Sequence, residues 1–316
     1  MRTDPITLLL DVPPGWTGRW AEPLRALLPD ATVLVNGQDD YAPDRIDYVA
    51  TFRPRPGFLK TLASVKIVFS LGAGVDGIVS DPDYPRHIPL VRFVDHTLAR
   101  DLAQYVVMQV LIHHRAQRAF DAAQSRREWR QHPQFVPAEE RRVGILGLGE
   151  IGTLTAERLR DLDFPVTGWS RTRKAVTGVA SLAGMNELPE FLTGCDVLVC
   201  LLPLTNDTRG ILNAKTFAQL PEGAFVINAA RGGHLIEEDL IAAIDSGHLS
   251  GAALDVFQTE PLPQSSPLWT HPKITVTPHV AAITDPVAAA ASIAAGIAAH
   301  RRGDVLENVV DLSRGY

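Results

Sequence analysis

Short apolar runs recur along the chain, separated by stretches of helical spacing or by turn residues. ITLLL (6–10), TVLV (32–35), IDYVA (46–50), KIVFS (66–70) and PLVRFV (89–94) read as strands, with helices expected at 19–28 and 56–62 between them. From Thr97 to about Arg127 the positions Leu98, Leu102, Tyr105, Val106, Gln109 and Val110 follow helical spacing. One helix of that length suits a connection between two domains. Residues 129–140 then read as a surface loop or arm, irregular and containing Pro and Gln. After residue 141 the alternation resumes. VGIL (143–146), VTGW (166–169), DVLVCLL (196–202), AFVINAA (224–230), GAALDV (251–256) and KITVTP (273–278) read as strands, with helices at 150–162, 186–192, 213–219 and 236–246. Asp285-Pro286 opens a last helix, with Gly303 just past its end. Continuously apolar strands belong to parallel sheets covered by helices on both faces. The pattern therefore predicts an α/β protein with two doubly wound parallel-sheet domains. The first is split, 1–100 with 285–316, and the second is 101–284.

The stretch RVGILGLGEIGTLTAERL (142–159) sharpens this picture. An apolar strand runs into Gly147, Gly149 and Gly152 in G-x-G-x-x-G spacing, and helical spacing follows. Gly147 permits the turn, Gly149 lets a pyrophosphate approach the backbone, and Gly152 lets the helix pack close to the strand. Glu150 and Ile151 open the helix, whose N-terminus offers free N–H groups and a positive dipole end to phosphates. The same turn can be purely structural in other α/β units. KIVFSLGAGVDGI repeats the strand–glycine–helix logic at Gly72, Ala73 and Gly74, where an ordinary strand–helix junction is an equal alternative.

Composition excludes more than it selects. A chain of 316 residues, 46% hydrophobic and 21% charged, has the make-up of an ordinary globular protein with room for two cores. The net charge of −6 argues against a general nucleic-acid binder. The two cysteines, Cys195 and Cys200, read as buried thiols of one apolar run and fit a reducing cytoplasm. MRTDPITLLLD has too short an apolar run for a signal peptide, no run of about 18 uncharged apolar residues spans a membrane, and no metal site is expected.

Three polar side chains stand where apolar strands end: Arg231 after AFVINAA, Glu260 after GAALDVF, and His279 after KITVTP. In an open parallel sheet that edge binds ligands. An arginine fork for a carboxylate, a histidine proton donor and a carboxylate to orient it suit hydride transfer to a 2-oxo acid. Singly, each has an ordinary structural alternative.

At these residues the chain resembles the D-isomer-specific 2-hydroxyacid dehydrogenases. GAGVD (72–76), GLGEIG (147–152), LLPLTNDTRG (201–210), NAARGG (228–233), LDVFQTEPLP (254–263) and TPHVAAIT (277–284) occur in the family's order. WSRTRK (169–174), DVFQTEPLPQSSPLW (255–269), PHVAAIT and the terminal RGY resemble its glyoxylate/hydroxypyruvate reductase A branch. The resemblance implies a Rossmann nucleotide domain inserted in a flavodoxin-like substrate domain, with Arg231, Glu260 and His279 as the catalytic set. It implies that Ala73 and Gly74 bind the substrate carboxylate through their backbone. Leu202, Pro203, Thr208, Ala229 and Asp255 would line the cofactor cleft, Asp255 near the nicotinamide amide and His279 beside it. Trp129 would reach the active site of a neighbouring subunit in a homodimer, with plain packing or exposure an equal alternative. The implied reaction reduces a small 2-oxo acid to a D-2-hydroxy acid in the cytoplasm. A bulkier 2-oxo acid, or a nucleotide-sensing interaction protein on the same fold, remain alternatives. The chain departs from the branch at TFRPRPGF (51–58) and at Arg100, so Arg53 and Arg55 are either anion-binding or solvated.

The end of the second strand of the nucleotide domain bears on the cofactor. An NAD enzyme places an acid there for the ribose 2′-OH. Here Ser170, Arg171, Thr172, Arg173 and Lys174 stand instead, donors suited to a 2′-phosphate. Ser170, Arg171, Arg173 and Lys174 are thus expected to favour NADP(H), with NAD(H) possible.

Overall fold

The computed structural model describes residues 6–131 and 136–312. The terminal RGY and part of the 129–140 segment lie outside the described residues. Two compact units emerge, Met1–Asp95 with Thr284–Tyr316, and His96–Ile283.

In the first unit β1 (Ile6–Asp11) leads into α1 (Thr17–Leu27), β2 (Ala31–Val35), β3 (Tyr48–Thr51), β4 (Ile67–Ser70), the short α2 (Asp76–Val79) and β5 (Leu90–Val91). The strands pair in parallel in the order β2-β1-β3-β4-β5, the flavodoxin-like arrangement. Two expectations shrink. The helix expected at 56–62 is a single 3-10 turn, Leu59–Thr61, because Gly57 takes φ +75° and gives its N–H to the Asp81 carboxylate (2.8 Å). The strand expected at 89–94 is two residues long, at the sheet's edge, where the Val310 N–H meets the Leu90 carbonyl at 2.8 Å.

The second unit opens with α3 (His96–His114) and α4 (Gln117–Ser125), then β6 (Val143–Leu146), α5 (Glu150–Arg160), β7 (Val166–Ser170), β8 (Ala180–Ala183), α6 (Gly184–Thr193) and β9 (Val197–Cys200). It continues through α7 (Ala214–Phe217), β10 (Ala224–Asn228), α8 (Glu237–Asp245), β11 (Leu249–Leu254) and β12 (Ile274–Val276). The helix expected to run from 97 to 127 is two helices. Ala116 takes φ +53° between them, and the apolar stripe that would carry a single helix stops near Val110. Its seven strands pair in parallel in the order β12-β11-β10-β9-β6-β7-β8, the Rossmann order extended by one strand. Neighbouring residues of β9 bury on opposite faces: Leu198 and Cys200 join one core, Val197 and Val199 the other. That is why these strands carry no polar alternation.

The chain then returns to the first unit in α9 (Pro286–Arg302). Asp285 caps it through the Val287 N–H (3.1 Å), and Gly303 ends it at φ +77°. Small residues let α9 lie close on β4: a Cβ at Gly296 would come within 2.7 Å of the Phe69 ring. Among the described residues, no helix is long and apolar enough to cross a membrane.

Candidate active site

Strand order in the second unit sets its candidate residues in a row. Ser170 ends β7; Gly147 follows β6, Leu202 and Pro203 follow β9, and Ala229 and Arg231 follow β10. Asp255 and Glu260 come after β11, and His279 after β12. With parallel strands, all of these lie along one carboxyl edge, spanning roughly 24 Å at about 4.8 Å per strand. The order of strands reverses between β6 and β9, where such sheets open a crevice for ligands.

At the β12 end, His279 Nδ1 lies 2.8 Å from Glu260 Oε2. Glu260 Oε1 accepts the Phe257 N–H at 3.0 Å, so the carboxylate is anchored by its own loop. The His279 side chain is 43% exposed and that of Glu260 24%, which leaves the imidazole accessible and its partner sheltered. His279 takes φ +54°, a conformation that a non-glycine residue holds only when its surroundings impose it. Asp255 imposes it. Its carbonyl accepts the His279 N–H (2.8 Å), and its buried carboxylate accepts the Thr277 hydroxyl (2.6 Å) and the N–H groups of Val280 (3.0 Å) and Ala281 (2.9 Å). Tyr105 on α3 joins the network, its OH 2.8 Å from Thr277 Oγ1, and burial pushes its pKa up to about 12. The family resemblance implies Asp255 near the nicotinamide amide; in the structure its carboxylate braces the histidine loop. Neither Thr277 nor Tyr105 carried a sequence signal of that role.

Arg231 sits in a closed turn. Asn228, wholly buried, gives Nδ2–H to the Arg231 carbonyl (3.1 Å) and accepts the Ala230 N–H (3.2 Å). Arg231 Nη1 donates to the Ala230 carbonyl at 2.7 Å. A Cβ at Gly232 would fall within 1.9 Å of the Phe257 carbonyl, so the lack of a side chain there lets the arginine turn press against the loop that carries Glu260.

The glycine turn after β6 fits a dinucleotide. Gly147 takes φ +106°, and a Cβ on Gly152 would stand 1.8 Å from the Gly147 carbonyl, so the close approach of α5 to β6 requires glycine. Open space lies over Gly149, and no side chain caps the N-terminus of α5. Glu150 at that terminus pairs with His96 at 3.1 Å. The Ile151 carbonyl accepts the Thr155 hydroxyl at 2.8 Å within α5. Leu202 and Ala229 are buried, and the Thr208 hydroxyl closes its own loop on the Pro203 carbonyl (2.7 Å).

After β7 the five polar residues divide. Ser170 Oγ donates to the Thr172 carbonyl (2.8 Å), and Arg171 and Lys174 are exposed. Arg173 is engaged elsewhere: its Nη2 meets both Glu187 oxygens at 2.6 and 2.7 Å, and its Nη1 meets the Ser181 carbonyl. Glu187, in the first turn of α6, carried no signal in the sequence that it would claim this arginine.

In the first unit, Ala73 and Gly74 lie in the turn after β4. Arg53 lies over the helix that follows: a Cβ on Gly77 of α2 would come within 3.0 Å of the Arg53 Nε. Phe52 packs edge-on against Trp16 and Trp20, at centroid distances of 5.7 and 5.1 Å. Trp129, 95% exposed, stands at the start of the irregular segment of the second unit.

Comparison with known proteins agrees with this fold. Residues 107–281 match the family model "D-isomer specific 2-hydroxyacid dehydrogenase, NAD binding domain". Glyoxylate/hydroxypyruvate reductase A of Klebsiella pneumoniae (strain 342) is 45% identical over 302 residues, 94% of this chain and 96% of the relative. A D-isomer specific 2-hydroxyacid dehydrogenase of Xanthobacter autotrophicus Py2, solved with NADPH and MES, is 39% identical with a TM-score of 0.90, covering 98% of this chain and 99% of that one. An NADPH-dependent glyoxylate/hydroxypyruvate reductase of Sinorhizobium meliloti, solved with NADP and sulfate, is 38% identical with a TM-score of 0.90 over 99% and 100% of the two chains. The chain belongs to the D-isomer specific 2-hydroxyacid dehydrogenase family.

Proposed function

We propose that this chain is an NADPH-preferring reductase of small 2-oxo acids, turning glyoxylate or hydroxypyruvate into glycolate or D-glycerate. The observation that carries this reading is the 2.8 Å His279–Glu260 pair standing with Arg231 on one sheet edge, beside a glycine turn shaped for a dinucleotide. The named activities of the Klebsiella and Sinorhizobium relatives support the choice of substrate.

The residues divide the work. The Arg231 guanidinium holds the substrate carboxylate through two parallel N–H donors. Because Glu260 takes the Nδ1 side of His279, the Nε2 proton is the mobile one. When bound, the reduced nicotinamide supplies a hydride to C2. His279 gives its Nε2 proton to the former carbonyl oxygen as negative charge grows there, and Glu260 stabilises the imidazolium before transfer. The glycine turn of residues 147–152 and the N-terminus of α5 would hold the pyrophosphate, while Ser170, Arg171 and Lys174 would hold the 2′-phosphate. Ala73 and Gly74 would add backbone N–H donors for the substrate carboxylate, with Arg53 raising the local positive charge. We also assign a cytoplasmic homodimer in which the exposed Trp129 packs on the neighbouring subunit.

Initial rates on a panel of glyoxylate, hydroxypyruvate, phenylpyruvate and a branched-chain 2-oxo acid, each with NADPH and with NADH, test the reading. Highest kcat/KM for the two small acids with NADPH supports it. Preference for a bulky acid moves the chain to another substrate class, and no turnover of any acid removes the enzymatic reading.

A further inference from the structure

One wholly buried histidine has no part in the chemistry above. His234 closes the 3-10 turn Gly232–His234, directly after Arg231, and is 0% exposed. Its Nδ1 lies 3.1 Å from the Arg231 carbonyl and its Nε2 3.2 Å from the Pro203 carbonyl. These carbonyls end the turns after two adjacent strands, β10 and β9. Each also accepts from elsewhere in its loop: the Arg231 carbonyl from Asn228 Nδ2 (3.1 Å) and from the His234 backbone N–H (3.2 Å), and the Pro203 carbonyl from the Thr208 hydroxyl. His234 thus touches both the arginine turn and the turn that ends at Pro203.

Carbonyl oxygens only accept, and a neutral imidazole has one N–H. Both contacts are hydrogen bonds at once only if both ring nitrogens carry protons. The surroundings favour that form. Burial alone pushes the His234 pKa down, but the neighbouring Cys200 and the two carbonyls outweigh it, and the net direction is up.

We propose that His234 is a positioning residue whose two ring N–H groups tie the Arg231 carbonyl to the Pro203 carbonyl, fixing where the arginine guanidinium is delivered. The proposal rests on the reading of Arg231 as the grip on the substrate carboxylate. Arg231 has an extended backbone, φ −145° and ψ 146°, and stands at the mouth of a turn. Without the ring the Arg231 carbonyl keeps the Asn228 Nδ2–H and the His234 N–H, but the arginine turn loses its tie to the Pro203 turn and can shift as a unit, and a long side chain magnifies a small shift at its tip. Loss of registry of about an ångström is costly in such sites. The carboxylate is held alike in the ground and transition states, so the loss falls on KM rather than kcat.

Two variants of the full chain, His234→Gln and His234→Phe, test this with glyoxylate and saturating NADPH. The expected result is a KM raised about tenfold or more in the Phe variant and less in the Gln variant, which keeps one donor, with kcat held within about threefold. A merely structural histidine would lower the melting temperature and the active fraction while leaving KM at the wild-type value, and that result overturns the proposal. An activity-independent arm uses nitrogen-15 NMR of the wild-type histidine rings, with His234 assigned through its contacts to Cys200 and Pro203. Both ring nitrogens should be protonated at pH 7.5; a neutral tautomer at that pH overturns the proposal, including when neither variant folds. If the wild type reduces no 2-oxo acid, the catalytic reading fails, and the ring spectrum still decides whether the double donation exists.

Discussion

The imidazole of His279 is held by two groups directly and by a third through Glu260. Asp255 fixes the backbone in its left-handed turn, Glu260 takes Nδ1, and Phe257 holds Glu260. In the proposed mechanism, replacing His279 with Ala removes the proton donor and leaves that scaffold in place. kcat should fall by roughly 10²–10⁴ while the dissociation constant of NADPH, read by fluorescence quenching, stays near wild type. A near-normal kcat would take His279 out of the mechanism. Arg231, Glu260 and His279 are legible in the sequence because a polar residue just past an apolar parallel strand must land on the sheet's carboxyl edge. Asp255 comes from the family resemblance alone, which does not say that its carboxylate turns inward to Thr277, Val280 and Ala281. Which way a strand-end side chain faces depends on the loop that returns over it, and that loop is fixed by contacts distant in sequence. His234 escaped notice for the same reason: its partners lie 3 and 31 residues away, and only folding shows that they are carbonyls.

Elements with strong periodicity were readable, and those bounded by tertiary contacts were not. β6, β9 and β10 lie in the middle of their sheet with apolar residues on both faces, so their runs stand out. β8, with the sequence ASLA, is half-exposed at the sheet edge and gives no pattern to read. The turn between β7 and β8 carries the cofactor prediction. In the proposed reading Arg171, the residue that follows β7, carries most of the contact with a 2′-phosphate, and Lys174 is the more distant donor. Each charge-assisted contact contributes about 1.5–3 kcal/mol, less where solvent screens it. Arg171→Ala should therefore reduce the NADPH-over-NADH ratio of kcat/KM by roughly tenfold or more, and an unchanged ratio would sink the assignment. The end of α3 makes a separate prediction. His113 stacks on Phe225 of β10, with centroids 4.1 Å apart and planes 14° apart. Burial, helped by Arg141 and His114, lowers its pKa from 6.5 to about 4. Between those values the unfolded chain binds the proton and the folded one does not, so stability is full above pH 6.5 and falls as the pH drops toward 4. At 1.36 kcal/mol per pH unit the loss amounts to at most about 3 kcal/mol. His113→Phe keeps an aromatic stack and removes the titration. Urea midpoints at pH 7 and pH 4.5 should differ less in the variant than in the wild type, and parallel losses would count against the account.

At the scale of the whole chain, the two units are built differently. His96–Ile283 is one continuous segment containing all seven strands of its sheet and a core on each face. The other unit needs both ends of the chain. Trp20, Ala21 and Leu24 of α1 are buried, as are Ala289, Ala290, Ile293 and Ile297 of α9, and the two helices pack together. His300 Nδ1 lies 3.0 Å from the Tyr48 OH, and the backbone near Val310 pairs with β5. Burial of four aliphatic side chains contributes several kcal/mol, at about 1.5–3 kcal/mol for each large one and less for alanine. That is comparable to the net stability of a small domain, about 5–15 kcal/mol. A fragment of residues 96–283 should therefore melt cooperatively, with the circular dichroism of an α/β domain. A fragment of residues 1–95 should show no cooperative transition, because α1 and β4 lose the helix that covers them. Joining 1–95 to 284–316 through a flexible Gly/Ser linker should restore the transition. A cooperative melt of 1–95 alone would show that α9 is an accessory to that core, and failure of the linked form would show that the first unit depends on the inserted one to fold.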